Sequence, residues 1–118
     1  MEIQNAVGAL GALAHAGRLE VFRLLVRAGP EGLAAGEIAR ALGSLPNTLS
    51  TNLNILAAAG LVASRREGRS IIYTAGYGPM RELLGFLVED CCAGRPEICG
   101  ALSAVAATAC GADAARPC

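Results

Sequence analysis

The N-terminal part of the chain carries apolar residues at the three- and four-residue spacing typical of helices. The spacing predicts one helix over residues 2–15 and a second that begins after Gly17 and ends at Gly29-Pro30. Gly8 and Gly11 weaken the first helix, so we expect it to depend on packing against a partner surface. The residues predicted to line one face of each helix are Ile3, Val7, Leu10 and Leu13, then Leu19, Phe22, Leu25 and Val26.

Two further helices follow at close spacing. The first is predicted over residues 34–42 and closed by Gly43, and the second runs from Pro46 to about Ala59. Two helices that cross closely need a small residue facing the partner, a glycine in the turn and a branched apolar residue six positions later. Ala39, Gly43 and Leu49 satisfy that spacing, which predicts a helix–turn–helix. The residues expected to face inward from the second helix are Leu45, Leu49, Leu53 and Leu56.

The period then changes from helical to alternating. Residues 61–65 and 70–74 form short β-prone runs joined through Glu67-Gly68, which predicts a hairpin. A last helix is expected after Gly78-Pro79, with an apolar face that runs into residues 90–92. This order predicts a mainly α fold with a small β-hairpin, a winged helix-turn-helix.

The second helix of the predicted helix–turn–helix presents short hydrogen-bonding side chains, which suit base edges and phosphates in a major groove. Arginines of the hairpin would hold the adjacent DNA backbone or minor groove. Two other interpretations remain open: a polar face that is only solvated, and a winged helix that binds another protein. The candidate DNA-binding residues are Asn47, Thr48, Ser50, Thr51, Asn52, Arg65, Arg66 and Arg69.

Composition agrees with a helical core. Hydrophobic residues make up 53% of the chain and aromatic residues only 3%, so Leu, Ile, Val and Ala must build the core. The formal net charge is zero, which does not by itself indicate a nucleic-acid binder. The apolar stretch around residues 101–112 is too short to span a bilayer, and Glu2 without a basic segment is unlike a signal peptide. We therefore expect a cytoplasmic protein of one main domain.

The five cysteines all lie after Asp90. An odd number in a chain without an export signal argues against structural disulfides and favours metal binding or redox chemistry. Thiol-based catalysis would need a base or a resolving cysteine placed by a motif, and Cys-x-x-Cys is absent, so we expect no enzyme. The lone histidine, His15, is expected to be a surface or helix-capping residue.

Several segments of the chain resemble the arsenical-resistance repressor (ArsR/SmtB) family. The resemblance implies a homodimeric winged-helix repressor that represses a resistance operon and leaves its operator DNA when an inducer binds. It also implies that the first and last helices form the dimer interface, which would explain the apolar faces at residues 3–13 and 80–88. The segments that carry the resemblance are 12–19, 37–43, 47–53, 58–62 and 65–73.

Two departures from the family pattern matter. Asn52 stands in the recognition helix where the family commonly has His, which leaves the operator sequence open. Many relatives carry Cys-x-Cys before the turn, at positions that are here Ala34 and Gly36. Others use Asp and His on the last helix, yet residues 78–92 contain no His. Neither of these two metal sites can exist in this chain.

Cys91, Cys92 and Cys99 remain as the candidate sensor. Soft thiolates match soft ions, and arsenite or antimonite takes three sulfurs without needing a fourth ligand. Adjacent cysteines converge only if the helix ends there, and Gly94 and Pro96 supply that ending. The trio also resembles the C-terminal sensor of one branch of the family.

Other triggers stay open for this cluster. Zinc or cadmium is one, although zinc prefers four ligands at other spacings, even if Cys110 supplied a fourth sulfur. Reversible disulfide formation is another, and the three thiols could also have no sensing role. We expect Cys110 and Cys118 to be accessory or incidental. The sequence thus predicts an arsenite- or antimonite-released repressor. We divide it into residues 1–92, a DNA-binding and dimerisation domain, and residues 91–118, a Cys-containing sensor segment and tail.

Overall fold

The structure, a computed structural model, describes residues 1–88, in which five helices pack beside a small antiparallel sheet. The helices are α1 Ile3–Leu13, α2 Ala16–Ala28, α3 Ala35–Leu42, α4 Pro46–Ala58 and α5 Tyr77–Val88. The strands are β1 Leu33–Ala34, β2 Val62–Glu67 and β3 Ser70–Ala75, and a 3₁₀ turn spans Gly29–Glu31. This arrangement confirms the prediction of a winged helix-turn-helix, with β2 and β3 as the wing.

The junction between α1 and α2 is held by two side chains. His15 caps α2, because its Nδ1 accepts hydrogen bonds from the backbone N–H groups of Gly17 (3.1 Å) and Arg18 (3.4 Å). Arg18 reaches back to the end of α1, where its Nε donates to the carbonyl of Ala12 at 2.6 Å. The expected capping role of His15 is therefore confirmed, and unpaired backbone groups at both helix ends find partners.

The turn between α3 and α4 follows the predicted chemistry. Gly43 ends α3 in the left-handed region (φ 64°), which favours glycine. Leu45 then adopts an extended conformation as the N-cap of α4, and Pro46 occupies the first helical position. The helix–turn–helix is thus a short, conformationally restricted connection.

The sheet has the order β1-β3-β2. The hairpin of β2 and β3 pairs Glu67 with Ser70 beside its turn, as predicted. Strand β1 was not predicted, since two residues carry no periodic signal; Leu33 pairs with Tyr73. Gly32, before β1, has φ 72°, and a Cβ there would collide with the carbonyl oxygen of Tyr73, so this approach requires glycine.

The core lies where α1, α2, α3 and α4 meet the base of the wing. Phe22, Leu25, Leu49, Leu53 and Leu56 are buried as predicted. The other buried apolar residues are Ala6, Ala9, Ala12, Val21, Ile38, Leu61, Val62, Ala75 and Leu83.

One predicted inward-facing residue, Leu45, is exposed, and the core faces of α1 and α2 include residues that the sequence pattern did not single out. In α1 the alanines at positions 6, 9 and 12 face the core, while Ile3 (66% exposed) and Val7 (62% exposed) lie outside it. Leu45 is exposed because it precedes the first turn of α4 and does not share the phase of Leu49. Leu19 is likewise exposed, and Val21 takes a core position in its helix.

Helix α5 begins at Tyr77, two residues before Pro79. Proline is tolerated there because backbone N–H groups in the first turn have no partner within the helix, so the missing N–H of proline costs no hydrogen bond. The start of α5 is fixed by two hydrogen bonds: Tyr77 Oη donates to the carbonyl of Val26, and Gly76 N–H donates to that of Leu61 (2.7 Å). The predicted extension to residues 90–92 lies outside the described residues. No helix within residues 1–88 has the length and apolar character needed to cross a membrane.

Replacement of Gly76 by alanine is expected to destabilise the fold. A Cβ at Gly76 would collide with the carbonyl oxygen of Gly60 and lie 3.2 Å from the carbonyl carbon of Leu61. Both are backbone atoms, so Gly76→Ala should lower the free energy of unfolding by about 1–3 kcal/mol. Urea denaturation at one protein concentration measures this. Gly78→Ala is the matched control, because a Cβ there meets open space; equal losses in both variants would contradict the argument.

Candidate nucleic-acid interface

The outer face of α4 carries the predicted polar residues. Asn47, Thr48, Ser50 and Thr51 are all exposed, while Leu49 and Leu53 anchor the opposite face in the core. The hydroxyl of Thr51 donates to the carbonyl of Asn47 at 3.1 Å, so its oxygen remains free to accept a hydrogen bond. The helix therefore presents hydroxyl and amide groups to the outside on a firmly packed support.

Asn52 does not belong to this exposed face. Its side chain is only 6% exposed, and a Cβ on Gly17 would lie 3.1 Å from Asn52 Nδ2, so the amide packs against the start of α2. This burial disfavours the predicted contact between Asn52 and DNA. The sequence did contain the signal, because Asn52 lies three residues after Leu49 and four before Leu56, on the inner face of the helix.

The wing arginines differ in their surroundings. Arg65 is held by three hydrogen bonds: Nε to Glu67 Oε1 (3.0 Å), Nη1 to the carbonyl of Pro30 (3.1 Å), and Nη2 to that of Glu31 (2.7 Å). It thereby ties β2 to the 3₁₀ turn that follows α2. These bonds favour a positioning role for Arg65 over the predicted DNA contact, since three of its five N–H donors are used within the protein.

Arg66 and Arg69 are exposed and form no ion pair or side-chain hydrogen bond within residues 1–88. Successive side chains along a strand point to opposite faces, so Arg66 is directed away from the side on which Arg65 is held. Arg69 lies in the turn of the hairpin, directly before β3. Within residues 1–88 the wing thus offers two unpaired cations, whereas α4, Pro46–Ala58, contains no charged residue.

The predicted thiol site, Cys91, Cys92 and Cys99, lies outside the described residues. Among residues 1–88, no group of three or more His, Cys, Asp or Glu side chains is placed to hold a metal ion. The interface that the described part of the chain defines is therefore one for a polyanion, built from neutral hydrogen-bonding groups on a helix and cations on a wing. This combination defines the class of winged helix-turn-helix DNA-binding proteins.

Comparison with known proteins agrees with this class. A helix-turn-helix domain model matches residues 13–65. The nodulation protein NolR of Rhizobium meliloti is 34% identical over 88 residues, which cover 75% of this chain and 70% of NolR.

Solved structures of similar fold include two transcriptional regulators. An ArsR-like transcriptional regulator from Rhodococcus sp. RHA1 has a TM-score of 0.67 at 26% identity, over 87% of this chain and 93% of that one. The second is the homodimeric winged helix-turn-helix DNA-binding domain of Mb0332 from Mycobacterium bovis, a possible ArsR-family regulator. It has a TM-score of 0.61 at 32% identity, over 73% of this chain and 78% of that one. The chain belongs to the ArsR family of DNA-binding transcriptional regulators, and as such it is not an enzyme.

Removal of Arg65 and of Arg66 should have different effects. Arg65→Gln loses the bonds to the 3₁₀ turn, and we expect the free energy of unfolding to fall by about 0.5–1.5 kcal/mol. Arg66→Gln removes no contact within residues 1–88 and should change it by less than about 0.5 kcal/mol. Urea denaturation of both variants at one protein concentration measures the difference.

DNA binding by the same pair supplies the second measurement. If Arg66 of each subunit neutralises one phosphate, Arg66→Gln should reduce the slope of log affinity against log salt by about 0.9 per bound subunit, or about 1.8 for a homodimer. Arg65→Gln should leave that slope near the wild-type value while weakening binding at every salt concentration. A reduced slope for Arg65→Gln with unchanged stability would reverse the roles assigned to the two residues.

Proposed function

We propose that this protein is a transcriptional repressor that binds operator DNA as a homodimer and releases it when arsenite or antimonite binds Cys91, Cys92 and Cys99. The observation that carries the DNA-binding part is the exposed polar face of α4, together with wing arginines that form no ion pair within residues 1–88. In this arrangement α4 enters the major groove, where Asn47, Thr48, Ser50 and Thr51 meet base edges or phosphates. Arg66 and Arg69 hold the neighbouring backbone or minor groove.

Homodimerisation is supported by apolar side chains on α1 and α5 that no part of residues 1–88 covers; these two helices contact each other in the subunit. Large apolar side chains rarely form a continuous exposed surface on a monomer, so such a patch marks an interaction site. The Mycobacterium bovis relative is homodimeric, which favours a second copy as the partner. The exposed residues of this surface are Ile3, Val7, Leu10, Leu84, Leu87 and Val88.

A homodimer would place two copies of α4 on one face of the duplex. Operator half-sites read by such dimers lie about 34 Å apart, one helical turn, so the spacing of the recognition helices decides the fit. Because α1 and α5 would form the dimer interface, a change in the packing of either helix alters that spacing.

The proposed sensor lies close to this interface in sequence. Helix α5 is described to Val88, and Cys91 follows three residues later. Three thiolates gathered around one arsenic or antimony atom constrain the chain at the end of α5. If binding of the ion weakens DNA binding by some factor, DNA must weaken ion binding by the same factor, and couplings of about 1–3 kcal/mol are typical.

The proposal predicts that arsenite releases the DNA. Fluorescence anisotropy of the reduced protein on its own upstream DNA, titrated in parallel with arsenite and zinc, should show release by arsenite at low equivalents and none by zinc. The reason is that a three-sulfur site suits a pyramidal ion and leaves zinc without a fourth ligand.

The triple variant Cys91→Ser, Cys92→Ser, Cys99→Ser should bind DNA and ignore arsenite, whereas Cys110→Ser is the matched control that keeps the response. If arsenite still released DNA from the triple variant, the assignment of Cys91, Cys92 and Cys99 as the sensor would be wrong. Release by zinc, cadmium or peroxide alone would keep the repressor and change its trigger. A protein that binds no DNA in either state would contradict the repressor itself.

A charge in the proposed dimer face should separate the subunits. Val7→Glu would bury an unpaired carboxylate against the partner, and we expect the dimer dissociation constant to rise by about a hundredfold or more. Sedimentation equilibrium measures this, with Ile71→Glu as a control at an exposed apolar residue of the wing. If both variants remain as dimeric as the wild type, the subunit interface lies elsewhere.

A further inference from the structure

Leu45 is the most exposed large apolar residue of the described chain, with 72% of its surface accessible. It does not belong to α1 or α5, so the proposed dimer face does not account for it. It lies instead in the turn between α3 and α4, directly before the helix that carries the exposed polar residues. An apolar side chain at the leading end of a DNA-reading helix requires its own explanation.

The backbone holds Leu45 in one conformation. Its dihedral angles are extended (φ −72°, ψ 144°), and the following proline disfavours the helical alternative. Its carbonyl accepts from the N–H of Leu49 at 3.0 Å, which begins the hydrogen bonding of α4. The side chain therefore projects from a fixed point at the N-terminus of α4, and little backbone freedom is lost when it contacts a ligand.

The chemistry of α4 restricts what this end of the helix can read. With no charged residue between Pro46 and Ala58, the helix cannot supply the arginine–guanine pair that is the commonest specific contact. It offers amides, hydroxyls and one exposed apolar side chain at its leading end. In the major groove the apolar group that distinguishes bases is the C5-methyl of thymine.

We propose that Leu45 is a specificity-determining residue that packs against the 5-methyl group of a thymine in each operator half-site. The inference rests on the proposed docking of α4 in the major groove and adds a base preference to it. Recognition-helix residues near the N-terminus are those that reach base edges, which is where Leu45 stands. Polar neighbours such as Asn47 and Thr48 then read the adjacent pairs by hydrogen bonds.

The test uses the full chain and a duplex selected by it from a randomised library. Each thymine of the selected duplex is replaced in turn by deoxyuridine, which lacks only the methyl group. We expect one replacement per half-site to weaken wild-type binding about fourfold, the effect of one buried methyl. For Leu45→Ala, deoxyuridine at that position should not weaken binding any further. For Ile55→Ala, a change at an exposed apolar residue further along α4, the fourfold weakening by deoxyuridine should remain.

The outcomes separate the inference from the function on which it rests. If the protein selects a duplex but no thymine methyl group contributes to binding through Leu45, the role of Leu45 is overturned and the DNA-binding role of α4 stands. A Leu45→Ala variant that dissociates into monomers assigns the residue to the subunit interface and also overturns it. Failure to select any duplex removes the proposed docking of α4 together with the inference. Circular dichroism of Leu45→Ala confirms that the fold is retained.

Discussion

The burial of one face of α4 determines how the rest of the molecule can act. Leu49, Leu53 and Leu56 are almost completely enclosed by the other helices and the base of the wing, so the helix can neither rotate nor slide without opening the core. Fixing the inner face also fixes which residues point outward. The polar side chains of α4 are thus presented in one orientation by packing, before any ligand is present.

The same packing extends to the start of the chain through small residues. Ala6, Ala9 and Ala12 let α1 approach the core closely, and Asn52 of α4 lies against Gly17 at the start of α2. As a result, the larger residues of α1 are left outside, beside those of α5. A displacement of α1 by a second subunit would reach α4 through direct contacts, because α1 and α4 are neighbours in the fold. A helix of the surface proposed for dimerisation is therefore in direct contact with the helix proposed to bind DNA.

Most of the fold could be predicted from the sequence because its signals are local. The spacing of Ala39, Gly43 and Leu49 located the helix–turn–helix, and Glu67-Gly68 located the hairpin. Periodicity singled out the apolar face of α1 that carries Ile3 and Val7, but it did not show that the alanines of α1 form a second face, which packs into the core. It also placed Leu45 inside by extending the phase of α4 one residue beyond the helix.

At the candidate site, what the sequence could not show has a different origin. The partners of Arg65 lie 34 and 35 positions earlier in the chain, so only the folded structure shows that this arginine is engaged. Arg66 is the next residue and is equally an arginine of the predicted hairpin, so the sequence does not distinguish the two. Their surroundings differ because successive side chains of a strand point to opposite faces. This division limits the electrostatic part of DNA binding. In the proposed repressor the wing contributes two free arginines per subunit among the described residues, and α4 contributes none. A coupling of about 1–3 kcal/mol between sensor and DNA changes the affinity by about 5- to 150-fold, which is enough to change operator occupancy.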